Sequence, residues 1–179
     1  MLLDSLSQLE QNDNLHLGRL LLILKALSAH TPDRPVEGLT KLAKLDFLLR
    51  YPTYLERALD ARHANRKSVA TEDYERHSVE SAMVRYRFGP WDQRYRRFLN
   101  ILSAKGLIRV TVEGRKVIIM LTESGLAKAE QLASQDAFQQ LDRRAQLLKN
   151  FDLTATNLMK FIYETFPEIS SLRSGRTIR

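Results

Sequence analysis

Arginines that alternate with aromatic residues form the segment of this sequence best suited to bind another molecule. The segment is the octet Arg85-Tyr86-Arg87-Phe88-Gly89-Pro90-Trp91-Asp92. Arginines in such a pattern can bind phosphates, and aromatic rings can stack on nucleic-acid bases. The three aromatics are nevertheless predicted to fill the core, because that is what aromatic side chains chiefly do. For the first two arginines, binding and plain solvation are equally open, since long basic side chains are normally exposed.

The net positive charge of the chain is concentrated around this octet. The 179 residues carry a formal charge of +7, and nine basic residues stand against two acidic ones between positions 84 and 116, so the remainder is neutral. Such focusing favours a polyanion or an acidic protein face as partner, and a merely solvated basic surface is the alternative. The residues predicted to contact nucleic acid are Arg85, Arg87, Arg94, Arg96, Arg97, Arg115 and Lys116.

No residue pattern points to catalysis or to a metal. The absence of cysteine excludes disulfides, thiolate metal sites and a cysteine nucleophile. The histidines lack metal-ligand spacing and are expected to be surface or packing residues. No glycine-rich phosphate loop and no nucleophile-elbow serine occurs. We therefore expect no enzyme activity, no metal and no cofactor.

The segment after the octet predicts an amphipathic helix followed by a hairpin. Pro90 is placed to begin the helix, and Lys105-Gly106 is placed to end it. The buried stripe of this helix is predicted to comprise Trp91, Tyr95, Phe98, Leu99 and Leu102. Residues 107–112 and 116–121 are rich in β-branched side chains and are joined by a glycine-containing turn, which predicts two strands.

The order of these elements is typical of a winged helix-turn-helix. In that arrangement the amphipathic helix takes the position that contacts DNA, and Arg115-Lys116 lie at the tip of the wing. The predicted fold class is therefore mainly α, a winged helix-turn-helix with a two-stranded β-hairpin wing and flanking N- and C-terminal helices.

Periodicity elsewhere in the chain predicts further helices. A leucine-rich helix at 15–29 is expected to be buried on several sides or shared with a partner. A second helix at 39–50 has a leucine stripe, with Lys44 and Asp46 predicted to point away from it. Residues 62–78 are polar and predict an exposed, mobile connection. One charged helix is expected over 126–149 and a last one over 154–165.

These elements suggest a simple organisation. Residues 1–14 are expected to be a flexible N-terminus, and residues 15–134 a helical and winged-helix domain. Residues 135–179 are expected to form C-terminal helices and a basic tail that pack on this domain or on a partner, with the tail from Arg173 mobile when unbound. No stretch is apolar enough to span a membrane, and no signal peptide is recognisable, so a cytoplasmic location is expected.

The octet also resembles the small middle subunits of bacterial ABC three-component systems, including the Lamassu anti-phage systems. The resemblance extends to Arg94-Tyr95, to Lys105-Gly106-Leu107-Ile108, and to two further stretches at 44–56 and 161–169, so it spans about residues 39–178. The motif residues to which we assign a structural role are Tyr86, Gly89, Pro90, Trp91, Asp92 and Tyr95.

The resemblance implies a non-catalytic accessory subunit that docks on an SMC-like ATPase. Such a subunit would connect the DNA-bound ATPase to an effector, often a nuclease, and would bind DNA weakly and without sequence preference. A homodimeric winged-helix transcription regulator is the alternative function. A regulator would bind one palindromic site tightly by itself, whereas a complex subunit would co-purify with an ATPase.

Overall fold

The structure is a computed structural model, and it describes residues 13–77, 82–86 and 89–179. These residues form eight α-helices and two small antiparallel sheets, so the mainly α class is confirmed. The helices are α1 (Asp13–Leu27), α2 (Leu39–Arg50), α3 (Pro52–Ala61), α4 (Tyr95–Ala104), α5 (Glu123–Ala133), α6 (Asp136–Leu147), α7 (Ala155–Thr165) and α8 (Pro167–Ser170). The strands are β1 (Pro35–Glu37), β2 (Val84–Tyr86), β3 (Gly89–Trp91), β4 (Ile108–Glu113) and β5 (Lys116–Leu121).

Helix α1 lies at the centre of the molecule. Every residue from His16 to Leu27 is buried, as expected for a helix with leucines around most of its circumference. It packs against α2, α4, α5 and α6, so this chain itself covers the apolar surface. Gly18 lets α6 approach closely, because a Cβ atom there would lie 3.0 Å from the Phe138 ring.

The larger sheet has three strands where the sequence predicted a two-stranded hairpin. Strands β4 and β5 form the predicted hairpin, and β1 pairs with the other edge of β5 in the order β1-β5-β4. Only Val36 of β1 is buried. A three-residue strand that begins with proline lacks the alternation by which strands are recognised, and the two prolines around it predicted only a break.

The octet forms a second small sheet, which corrects the predicted start of the amphipathic helix. Pro90 and Trp91 belong to β3, which pairs with β2, and α4 begins only at Tyr95. The fixed φ of proline suits an edge strand as well as a first helical turn, so the residue type did not decide between them. The remaining stripe of Tyr95, Phe98, Leu99 and Leu102 is buried as predicted.

The C-terminal tail is docked, which is contrary to the expected mobile segment. The Arg85 N–H donates to Arg176 O at 2.8 Å, and the Ile178 N–H donates to Met83 O at 2.9 Å, so the tail runs alongside β2. The Ile178 side chain is 1% exposed. One buried apolar residue in a basic, polar heptapeptide is a weak sequence signal, and it provides the anchor here.

Two further predictions on the outer helices need correction. The charged segment after β5 is divided into α5 and α6 by a break near Ser134 and Gln135. The segment 62–77 contains two short 3₁₀ helices at Lys67–Val69 and Asp73–Arg76. Most of its residues are exposed, as predicted, but the segment is fixed to α6, because Val69 is buried and the Arg144 guanidinium donates to its carbonyl at 2.7 Å.

None of the helices in the described part of the chain is both long and apolar enough to cross a membrane.

Candidate nucleic-acid interface

The seven basic residues proposed to contact nucleic acid do not form one surface. Arg96, Arg115 and Lys116 line the same groove, whose volume is about 900 Å³. Arg96 comes from α4, and the other two come from the tip of the β4–β5 hairpin. The helix and the hairpin tip therefore face one space, as the sequence predicted for the two contact regions.

The other four basic residues lie elsewhere or outside the described residues. Arg94 folds back on Asp92, to which its guanidinium donates at 2.8 Å. Arg97 pairs with Asp13 at the start of α1. Arg85 is half-buried with its guanidinium 5.8 Å from the Tyr163 ring centroid, and Arg87 falls outside the described residues.

The groove holds two arginines that have no acidic partner among the described residues. Lys41 at the groove wall pairs with Asp152 at 2.6 Å, and Lys116 pairs with Glu37 at 3.0 Å. Arg96 and Arg115 form no such pair within the described ranges and are exposed. Their charges are therefore available to an anionic ligand without the cost of breaking an ion pair.

The start of helix α2 adds to the positive potential of the groove. Its N-cap residue is Gly38, which has no side chain to accept from the first turn, and residues 38–41 line the groove wall. The free N–H groups of a helix start carry a partial positive charge. The groove thus combines a helix end of positive sign with two guanidiniums that no described carboxylate pairs.

A smaller, mostly apolar pocket of about 200 Å³ adjoins the groove. Tyr86, Gly89, Pro90 and Trp91 line it, and it shares Thr40, Trp91 and Arg96 with the groove. The prediction that the octet's aromatics fill the core is wrong for Tyr86, which is 52% exposed, and Trp91 is only half-buried. Phe88 lies outside the described residues. Gly89 and Pro90 of β3 are buried, so the accessible surface of this small sheet is at the Tyr86 and Trp91 rings.

A buried polar cluster holds α4 and the octet in place, and the sequence analysis missed it. Its centre is Asp46 of α2, which accepts hydrogen bonds from Arg19, Arg50 and the Tyr95 hydroxyl. The prediction that Asp46 points away from the buried stripe is therefore wrong. Although burial opposes its ionisation, the two guanidiniums hold the pKa of Asp46 well below its ordinary value.

The cluster extends to the octet through Arg50. Its guanidinium donates to the Asp92 carboxylate at 2.8 Å. Burial by itself would raise the pKa of Asp92, but the neighbouring Arg94 and Arg50 outweigh this effect, so the pKa is lowered. Tyr95 makes an edge contact with the Trp91 ring at 5.4 Å between centroids. Asp92, Tyr95 and Trp91 thus connect the wall of the apolar pocket to the core.

Lys44 is the second charged residue of α2 that the sequence placed outside the core. It is 1% exposed, and its ammonium donates to Thr40 O at 3.1 Å. No carboxylate among the described residues pairs with it. Burial lowers its pKa to about 8. Gly89 accommodates its stem, since a Cβ atom at Gly89 would lie 3.3 Å from the Lys44 Cε atom.

Replacement of Lys44 by methionine is expected to stabilise the protein by about 1–3 kcal/mol at pH 7, because methionine fills the space without a buried charge. The folded-state pKa lies below the unfolded one of about 10.4, so the folded state binds fewer protons between these values. Wild-type stability should accordingly rise from pH 8 to pH 10, and the advantage of the variant should shrink. Urea unfolding of both proteins at the two pH values measures this, and a constant difference would contradict a charged, buried Lys44.

The described residues of the groove contribute exposed positive charge. They contain no cluster of three or more His, Cys, Asp or Glu side chains arranged to hold a metal ion. His16 is buried and stacked on Phe98 with 5.2 Å between ring centroids, which fits the packing role expected for it. Comparison with known proteins found no matching family model, no matching curated protein and no matching solved structure.

Proposed function

We propose that this chain is a non-catalytic accessory subunit that binds nucleic-acid phosphates in the groove between α4 and the β4–β5 hairpin. The guanidiniums of Arg96 and Arg115, which have no acidic partner among the described residues, carry the proposal, because both line the same groove from different elements. Two such contacts suffice for weak, sequence-independent binding, which depends on phosphate neutralisation.

The arrangement of elements supports a winged-helix interpretation of this region. Helix α1, strand β1, helix α2, helix α4 and the β4–β5 hairpin follow one another in the order of that fold, and β1 pairs beside β5. On this interpretation α3 and the β2–β3 hairpin are an insertion before the DNA-contacting helix α4, and Arg115 lies at the tip of the wing.

The partners we propose are an SMC-like ATPase and an effector such as a nuclease. The resemblance of the octet to middle subunits of ABC three-component systems supports this assignment. Arg50 links Asp92 of the octet to the core, so the acid at this position of the motif has a structural function. In this complex the groove would bind DNA, and other surfaces of the chain would contact the two protein partners.

Charge reversal at Arg96 tests the groove. The Arg96→Glu variant should bind a labelled oligonucleotide about tenfold or more weakly at low salt, because an attraction becomes a repulsion at the binding surface. Arg97→Glu is the matched control, since it changes the net charge equally, lies on the same helix and replaces a surface pair with Asp13 by an exposed like-charge contact of small energy. Fluorescence anisotropy gives both affinities, and thermal unfolding confirms that both variants fold.

Salt dependence and sequence preference complete this test. If Arg96 and Arg115 each neutralise one phosphate, the log–log slope on duplex DNA should be about −2, and the wild-type Kd should fall in the range of about 10⁻⁴ to 10⁻⁶ M. Equal losses in the two variants would show that only long-range charge matters and would overturn the groove. Tight binding to one palindromic sequence would instead favour the homodimeric transcription regulator. Loss of ATPase co-purification with unchanged DNA binding would assign Arg96 to a protein interface.

A further inference from the structure

The apolar pocket beside the groove has features that phosphate binding alone does not explain. Phosphate contacts need cations and N–H groups, whereas this pocket is mostly apolar. Its lining residues are Thr40, Tyr86, Gly89, Pro90, Trp91 and Arg96, of which only Arg96 is charged. Its volume of about 200 Å³ is below the roughly 300–1,000 Å³ of pockets for drug-sized ligands, and it suits a single planar ring system.

The two rings are arranged as a stacking platform. Their centroids lie 6.3 Å apart with 31° between the planes, so the two rings contact each other directly. Because a ring inserted between them would need about 7 Å or more, a flat ligand would stack on the accessible side of this ring pair rather than between the two rings. The Trp91 ring is held in place by an edge contact with the Tyr95 ring. Tyr95 is fully buried, and its hydroxyl donates a hydrogen bond to Asp46. Tyr86 is more than half exposed and can adjust to a ligand.

The pocket and the groove form one continuous surface, because Arg96 and Trp91 line both of them. A ligand with a flat apolar ring and an attached anion would therefore contact the pocket and the Arg96 guanidinium at the same time. A nucleotide in a polynucleotide strand has this combination of groups. In an intact duplex the bases are stacked and paired, so their faces cannot reach Tyr86.

We propose that the Tyr86–Trp91 pocket receives one unpaired nucleobase of a strand whose phosphates lie in the adjoining groove. The proposal rests on the proposed function of the groove and adds the kind of nucleic acid that it prefers. The chain should accordingly bind single-stranded nucleic acid more tightly than duplex.

The experiment uses an oligothymidylate strand and an abasic strand of equal length, which carries the same phosphates without bases. Trp91 is the sole tryptophan in the sequence, so intrinsic fluorescence reports directly on the pocket. Oligothymidylate should quench this fluorescence and bind more tightly than the abasic strand. The Tyr86→Ala variant should lose about 5- to 150-fold in affinity for oligothymidylate, which corresponds to the 1–3 kcal/mol of one base stacked on an aromatic ring.

Two variants control for surface and ring effects. Tyr86→Phe keeps the ring and should bind like wild type, whereas Tyr74→Ala removes another exposed tyrosine, one that lines neither cavity, and should have no effect. Equal binding of the two strands, or equal affinity of wild type and Tyr86→Ala, would overturn the base pocket and leave phosphate binding intact. Failure of both strands and of duplex to bind would overturn the proposed function itself.

Discussion

The Asp46→Asn variant is expected to lose about 3–5 kcal/mol of unfolding free energy at pH 7. Asparagine has nearly the same shape as aspartate, so the change removes charge rather than volume. The Arg19 and Arg50 guanidiniums, both buried, then face a neutral amide, and an uncompensated buried charge is costly. The Tyr95 hydroxyl also loses a charged acceptor that lies 2.6 Å away.

The pH dependence of this difference has a defined direction. The pKa of Asp46 is lower in the folded state than in the unfolded state, so the ion cluster contributes fully above about pH 4 and is lost as the pH falls through the folded-state pKa. Urea unfolding should therefore show the largest gap between wild type and variant at neutral pH and a smaller one in acid.

Asp60→Asn provides the matched control for Asp46→Asn. Asp60 makes a surface pair with Arg66 at 2.8 Å, so the same substitution should change stability by less than about 1 kcal/mol. A loss below about 1 kcal/mol at Asp46 as well would mean that the cluster does not stabilise the fold.

Elements with a strong periodic pattern were predictable from the sequence, and short or mixed ones were not. Helix α1 and strands β4 and β5 have repeated apolar or β-branched residues, and each was found close to its predicted bounds. Strand β1 has one buried side chain and no period, so nothing local distinguishes it from a loop. Its pairing with β5 is a tertiary contact.

The candidate site was predictable in part from charge and from the order of the elements. Arg96, Arg115 and Lys116 were identified from charge and from their place in the predicted helix and wing. Charge alone could not show that Arg94 folds back on Asp92, because a salt bridge depends on the backbone path around it. The exposure of Tyr86 was missed because ring type predicts burial on average, while the position of Tyr86 at the end of a three-residue strand leaves its ring 52% exposed.

The buried cluster around Asp46 could not be found by pattern analysis. Polar residues within an amphipathic helix are assigned to the solvent face unless a partner is known, and Arg19 is 27 residues away in sequence. The charged side chains of the cluster pair with one another when buried, so they need no change in the pattern of leucines around them. The leucine pattern therefore does not reveal the cluster. Its contact with Asp92 nevertheless explains why an acid stands at the end of a basic and aromatic octet.

The Ile178→Ala variant is expected to lose about 2–5 kcal/mol of unfolding free energy, the range for truncating a fully buried isoleucine. Ile178 anchors the tail, because its side chain is buried and both its backbone N–H and its carbonyl are hydrogen-bonded. The Tyr51 hydroxyl donates to its carbonyl at 2.8 Å and accepts from the Met83 N–H at 2.9 Å, so one buried phenol connects the tail to the start of β2. Burial raises the pKa of Tyr51 to about 12, so the phenol stays a donor at neutral pH.

The same variant should also weaken the base pocket indirectly, because the tail supports the strand that carries Tyr86. The tail bonds both backbone groups of Arg85, the residue directly before Tyr86, so a loosened tail frees the strand that carries the stacking ring. Thr177→Ala is the control, because the Thr177 side chain is exposed and the substitution leaves the buried Ile178 in place. Such a surface substitution usually changes the unfolding free energy by no more than about 0.5 kcal/mol. Urea unfolding and oligothymidylate quenching of Trp91 measure the two effects. Wild-type stability in Ile178→Ala would show that the tail is not anchored. Reduced stability with unchanged quenching would show that β2 holds Tyr86 without the tail.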